Sequence, residues 1–209
     1  MNEQLIQDLT KNLEKSRKPW LPGLWLTIML LLSIVSGSMI LNTWGLRFDI
    51  SGAMDSLAYR TELFLLLGLV FISYLMAAAG MVPGRARAPR TVLFGLLLLI
   101  LALAALFSVH PESHGSAHWS DGWHCLALIA VNASLPTLVT VFFAKRRAAP
   151  TRPALTMAFI LIGTIGSAVA VQHLICPYNE TWHLVVWHLA ILPGALLLAR
   201  AAGAKILRW

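Results

Sequence analysis

The sequence predicts an all-α membrane protein, a polytopic six-transmembrane-helix bundle with both termini cytoplasmic. Three observations carry that reading. Hydrophobic residues make up 58% of the chain and charged residues 12%, about half the charged share of a soluble domain. The apolar residues fall into six runs, each close to the ~20 residues that cross a hydrocarbon core. All but two of the 16 Lys and Arg residues lie in the two termini and in alternate connections, and such basic segments stay on the cytoplasmic side.

The first run extends from about Leu24 to Trp44 and the second from about Tyr59 to Val82. The third covers about Thr91 to Val109, the fourth Trp123 to Ala144, the fifth Ala154 to Ile175 and the sixth Trp182 to Ala202. Pro83-Gly84, the stretch from Pro111 to Gly122, Pro150 to Pro153, and Pro177 separate most of them, as helix-breaking residues do. No cleavable signal peptide is expected, because the first apolar run is long and ends without a small-residue cleavage site. The domains are therefore a cytoplasmic amphipathic tail over 1–23 and a six-helix transmembrane domain over 24–209.

The two basic residues outside the pattern are Arg47 and Arg60, and the connections on their side hold Asp49, Asp55, Glu62, Glu112, Asp121 and Glu180, most of the acidic residues. The net charge of +7 thus reports topology and calls for no direct nucleic-acid partner. Trp20, Trp25, Trp44, Trp119, Trp123, Trp182 and Trp209 fall near helix ends, where interfacial indoles belong. Ala195, Ala199 and Gly203 form a small-residue ridge on the sixth run, and Gly163 with Ser167 another on the fifth, both suited to close helix packing.

Little inside the spans suggests transport or catalysis. No Asp, Glu, Lys or Arg lies well within a run, and Glu62 comes closest, at a level where Arg60 or the interface would satisfy it. Asn132 and Gln172 are the internal amides and read as hydrogen-bonding links between helices. An ion-coupled carrier normally keeps ionisable groups at mid-membrane, so that class is disfavoured. There is neither a phosphate-binding glycine loop nor a nucleophile elbow, and no enzymatic activity or required cofactor is expected.

The chemistry-bearing residues gather on the extracytoplasmic side. His110, His114 and His118 lie in the third connection, and His124 adjoins Cys125 at the start of the fourth run. His173 and Cys176 are three apart near the end of the fifth, where a continuous helix would give them one face. His183 and His188 open the sixth. Cys125 and Cys176 could form a disulfide on an oxidising side. With His124, His173, His183 and His188 they could instead bind zinc, copper or another soft metal ion. The bland alternative is two small buried residues beside interfacial histidines. Redox switching comes first, metal sensing second and the bland reading third.

The amino-terminal tail has its own pattern. Leu5, Ile6, Leu9 and Leu13 follow the spacing of an apolar helix stripe. With Lys11, Lys15, Arg17 and Lys18 beside it, such a helix fits anionic membrane lipid, or the groove of a partner protein.

Several features together resemble the NrsF family, bacterial inner-membrane anti-sigma factors of six spans. They are the Leu5-Ile6 tail, Gly45-Leu46-Arg47 with Asp49, Cys125, Cys176-Pro177, Trp187-His188 and the terminal Leu207-Arg208-Trp209. The resemblance covers essentially the whole chain. It implies an extracytoplasmic-function sigma factor as partner, bound by the tail through Leu5, Ile6, Leu9 and Leu13. It also implies release on a metal or oxidant signal acting at Cys125 and Cys176. Self-association stays open. Two further classes remain in view: a small metal or solute transporter capturing its cargo at the Cys and His cluster, and a membrane thiol oxidoreductase.

Overall fold

The computed structural model describes residues 20–83, 119–178 and 183–207. The long apolar runs become long helices, with Pro136 accommodated inside one of them: α1 (Pro22–Trp44), α3 (Leu57–Gly80), α4 (Trp119–Arg147) and α5 (Pro153–Ile175). A short helix, α2 (Ile50–Asp55), sits between α1 and α3. The chain closes with a π-helical turn, Leu184–Leu189, running into α6 (Ile191–Ile206). Among the described residues there is no strand.

Among the described residues, five helical segments are long and apolar enough to cross a membrane: Pro22–Trp44, Leu57–Gly80, Gly122–Arg147, Pro153–Ile175 and Leu184–Ile206. Each falls within a few residues of an expected run. The run expected at 91–109 lies outside the described residues, as do the amino-terminal stripe and His110, His114 and His118.

Backbone contacts order the helix ends into two faces. The Trp20 N–H donates to the Arg147 carbonyl at 3.2 Å, and the Ala149 N–H to the Met81 carbonyl at 3.0 Å. The start of α1 and the ends of α3 and α4 therefore share one face, which also carries Lys145, Arg146, Arg147 and Arg152. At the other face the Arg47 N–H donates to the Leu174 carbonyl at 3.0 Å, joining the end of α1 to the end of α5. Gly45, at φ +76°, makes the turn out of α1 that brings Arg47 there, a backbone angle that glycine adopts without penalty.

The centre of the bundle is α5, which packs against α1, α3, α4 and α6 and is 67% buried over its most apolar stretch. Small residues let its neighbours approach. A Cβ on Gly163 would lie 2.3 Å from Tyr74 Cε1, so the phenol ring of α3 occupies the space a side chain would need. On α6, Ala195, Ala199 and Gly203 are buried, and Gly203 meets Met157 of α5. Both small-residue ridges thus pack helices, the role expected of them.

Polar side chains inside the bundle link helices. Ser36 Oγ of α1 lies 2.9 Å from the Asn132 carbonyl and 2.5 Å from its Oδ1 on α4. Thr137 of α4 and Thr164 of α5 share a hydrogen bond of 2.8 Å. Replacing Ser36 with Ala is expected to lower stability by roughly 0.5–1.5 kcal/mol, measured by unfolding in mixed detergent micelles.

The structure adds to two expectations. Trp25, in the first turn of α1, is fully buried, with its ring centroid 5.1 Å from that of Trp20, because α1 packs this side inward. Glu62 is fully buried, and a group from another helix faces it: His173 Nε2 of α5 lies 3.3 Å from its Oε2. The α3–α5 contact turns Glu62 inward, where a neighbouring helix supplies a polar group.

Candidate functional site

At the face opposite the basic one, four side chains from three segments converge. Cys125 stands in the second turn of α4, Cys176 directly follows α5, and His183 and His188 come from the π-helical turn and the residue before it. Their candidate ligand atoms all lie within 4.8 Å of one another. Cys125 Sγ is 3.7 Å from Cys176 Sγ, and Cys176 Sγ is 3.4 Å from His183 Nε2. The rings of His183 and His188 are 5.4 Å apart between centroids, at 77°. All four residues are buried, His188 completely.

Local sequence explains each placement. Cys176 precedes Pro177, and a residue before proline is pushed out of the helical region. It has φ −73° and ψ 122°, so α5 stops at Ile175 and the Cys176 side chain leaves the helix face. That corrects the expectation of a shared face for His173 and Cys176. His173, still helical, stacks on Tyr59 at 4.4 Å and pairs with Glu62 instead. Tyr59 reinforces the arrangement by donating its hydroxyl to the His173 carbonyl at 2.8 Å.

The π-helical turn places the other two ligands. On an α-helix of 3.6 residues per turn, positions five apart point about 140° away from each other. A π turn, bonded i to i+5 and holding about 4.4 residues, brings them to within about 50°. His183 and His188 can therefore serve one centre only because the chain widens there. Gly122, one turn before Cys125, admits the Trp187 ring: a Cβ there would lie 2.1 Å from Cε2. Trp187, Leu126, Tyr178 and Val186 wall the two sulfurs in apolar surface.

A clasp holds the Cys176 segment. Arg47, buried, donates from Nε and Nη2 to the Asp49 carboxylate at 2.6 and 2.7 Å, and from Nη2 to the Pro177 carbonyl at 3.2 Å. The hydrogen bond to Asp49 raises the guanidinium's pKa, and the same bond holds the Asp49 carboxyl below the usual carboxylate range.

Of the six candidate ligands, the fold brings together Cys125, Cys176, His183 and His188. It leaves out His124, which is exposed on α4, and His173, engaged with Glu62. Sequence reasoning gave Arg47 no structural part; its signal was its being one of just two arginines on the side where basic residues are rare.

A helical membrane protein with a buried thiol and imidazole cluster at one end is the class this geometry defines. The chain belongs to the NrsF family, described as negative regulator of sigma F, which it matches over residues 9–209. The family is named for regulation of a sigma factor and not for a reaction. Comparison with curated proteins and with solved structures gave no match.

Proposed function

We propose that this protein is an anti-sigma factor that holds an extracytoplasmic-function sigma factor at the bacterial inner membrane and releases it when Cys125 and Cys176 are engaged from outside. The amino-terminal segment 1–23, with its stripe of Leu5, Ile6, Leu9 and Leu13, is the sigma-factor holder. Both termini lie in the cytoplasm, on the basic face.

The observation that carries the reading is the join between the cysteine segment and α1. Arg47, three residues beyond α1, bonds the Leu174 and Pro177 carbonyls on either side of Cys176. The opposite end of α1 continues into the tail. A change at the sulfurs thus reaches α1, whose other end leads in sequence to the holder. For such a route to work, the signal must bind the releasing conformation better than the holding one. Moving from mostly held to mostly free takes about 5.5 kcal/mol of differential binding.

The test is capture of a co-expressed extracytoplasmic-function sigma factor by the full chain and by the chain lacking residues 1–18. The full chain is expected to retain it and the truncated chain to lose at least nine tenths of that retention. Equal capture by both removes the tail from the mechanism, and capture by neither removes the anti-sigma reading. In cells, Cys125→Ser and Cys176→Ser are each expected to abolish release under metal or oxidant stress. An unchanged response in both overturns the sensing role.

A further inference from the structure

We infer that Cys125, Cys176, His183 and His188 form a closed four-coordinate site for one thiophilic divalent cation of the zinc type, and that the π-helical turn exists to complete it. The inference deepens the sensing role proposed above by naming what the thiols receive, but it concerns a property of the purified chain that needs no sigma factor.

Distances come first. In a tetrahedral zinc site with Zn–S of about 2.3 Å and Zn–N of about 2.05 Å, two sulfurs stand about 3.8 Å apart, and sulfur to nitrogen about 3.6 Å. The sulfurs here are 3.7 Å apart, and Cys176 Sγ to His183 Nε2 is 3.4 Å. A disulfide needs the sulfurs at about 2.05 Å. Two edges of the cluster thus match those of a coordination tetrahedron, and the four ligand atoms all lie within 4.8 Å of one another, close enough to draw in around one ion.

Unmet polarity comes second. His188 is completely buried, and neither ring nitrogen makes a well-formed hydrogen bond, with only the weakly bonding Cys125 thiol beside the ring. A buried imidazole so poorly satisfied costs free energy. One of its nitrogens falls within the 4.8 Å cluster, so a cation there would satisfy it.

Charge selects the ion. Binding deprotonates both thiols, the two protons leave to solvent, and each thiolate and each neutral imidazole donates one lone pair without any change of oxidation state. Two thiolates and a divalent cation sum to zero, which an apolar wall tolerates. A monovalent ion would leave a buried net charge, which that wall penalises. Two sulfurs and two imidazoles suit zinc-like ions and disfavour magnesium or calcium, which take oxygen ligands.

Backbone form comes last. An α-helical sixth segment would turn His183 and His188 apart, and only the rare π form aims both at one point. Such turns recur at functional sites because the widening repositions side chains at the expense of regular helix bonding. The metal's bonds to both imidazoles would hold that register.

The test uses the reduced, metal-free full chain in detergent, titrated with Co²⁺ as the optical probe and then with Zn²⁺. The expected result is one Co²⁺ per chain, with thiolate-to-cobalt absorption in the near ultraviolet and intense tetrahedral bands in the visible, both abolished by Zn²⁺. Cys125→Ser, Cys176→Ser, His183→Gln and His188→Gln should each weaken binding by more than the 10–100-fold typical of losing a supporting partner, while His124→Ala leaves it unchanged. Circular dichroism of each variant checks that the helices persist. Absence of binding by the reduced chain, cobalt spectra without a thiolate band, or equal loss in His124→Ala overturns the inference. Sigma-factor capture by the same metal-free preparation is scored separately, so a failed metal site and a failed anti-sigma reading give different results.

Discussion

Gly163→Val is expected to be among the most destabilising single changes in the bundle, costing roughly 3 kcal/mol. A Cβ at 163 would stand 2.3 and 2.4 Å from two ring carbons of Tyr74, and the ring cannot yield. It is fully buried, and its hydroxyl hydrogen-bonds Ser33 of α1. Relief requires α3 to move off α5, and overpacking of this kind costs about 1–3 kcal/mol or more. Gly194→Ala is the contrast. That glycine lies on α6 with nothing within 4 Å of an added Cβ, so alanine there should stabilise by about 0.5–1 kcal/mol through helix propensity. Unfolding of both variants in mixed micelles checks the pair. Shrinking the ring with Tyr74→Leu in the Gly163→Val background should recover part of the loss, as expected of residues in contact; simple additivity would show that the clash lies elsewhere.

Arg47→Met is the second large effect, aimed at the site. Methionine keeps the apolar stem and removes the donors to Asp49 and to the Pro177 carbonyl. Hydrogen bonds to charged groups are worth about 1.5–3 kcal/mol each way, so the Cys176 segment should open locally and its thiol react at least about tenfold faster with an alkylating reagent. Arg60→Met, an exposed arginine on the same face, should leave that rate unchanged. Acid tests the same clasp. Asp49 has its folded pKa lowered by Arg47, so its contribution is complete above the ordinary carboxylate value and is lost as pH falls through the depressed one. Labelling of Cys176, corrected for the pH dependence of the reagent with Arg47→Met as reference, should therefore accelerate only below about pH 4. Acceleration between pH 6 and 8 would assign the clasp to another group.

Some of this architecture could be read directly from the chain. Runs such as Leu24–Trp44 and Ala154–Ile175 match α1 and α5 closely, because a hydrocarbon solvent demands length and apolarity and little else. The small-residue ridges were equally readable, since close approach has few chemical solutions. What escaped depended on tertiary partners or on irregular backbone. The six-residue helix α2 is too short to leave a periodic signal. Burial of Trp25 and Glu62 depends on which side of each helix meets α5, and nearly uniform apolarity around a span conceals that side. The four-residue cluster was only partly legible. Cys125 and Cys176 were paired by depth, but His183 and His188 are five apart, a spacing that regular helical reasoning sets on different sides. Pro177, in plain view, was the clue that Cys176 would leave its helix.

The enclosure of α5 bears on how the lipid bilayer acts on this protein. A rod jacketed by its neighbours meets few acyl chains, so changes in membrane thickness have little direct purchase on it. The less enclosed α1, α4 and α6, 28% buried over their most apolar stretches against 67% for α5, take up such mismatch by leaning. Cys176 sits at the tip of the sheltered rod, whereas Cys125, His183 and His188 ride on the helices that lean. A change of bilayer thickness is therefore expected to alter the geometry of the four-residue cluster from the side, without any ligand.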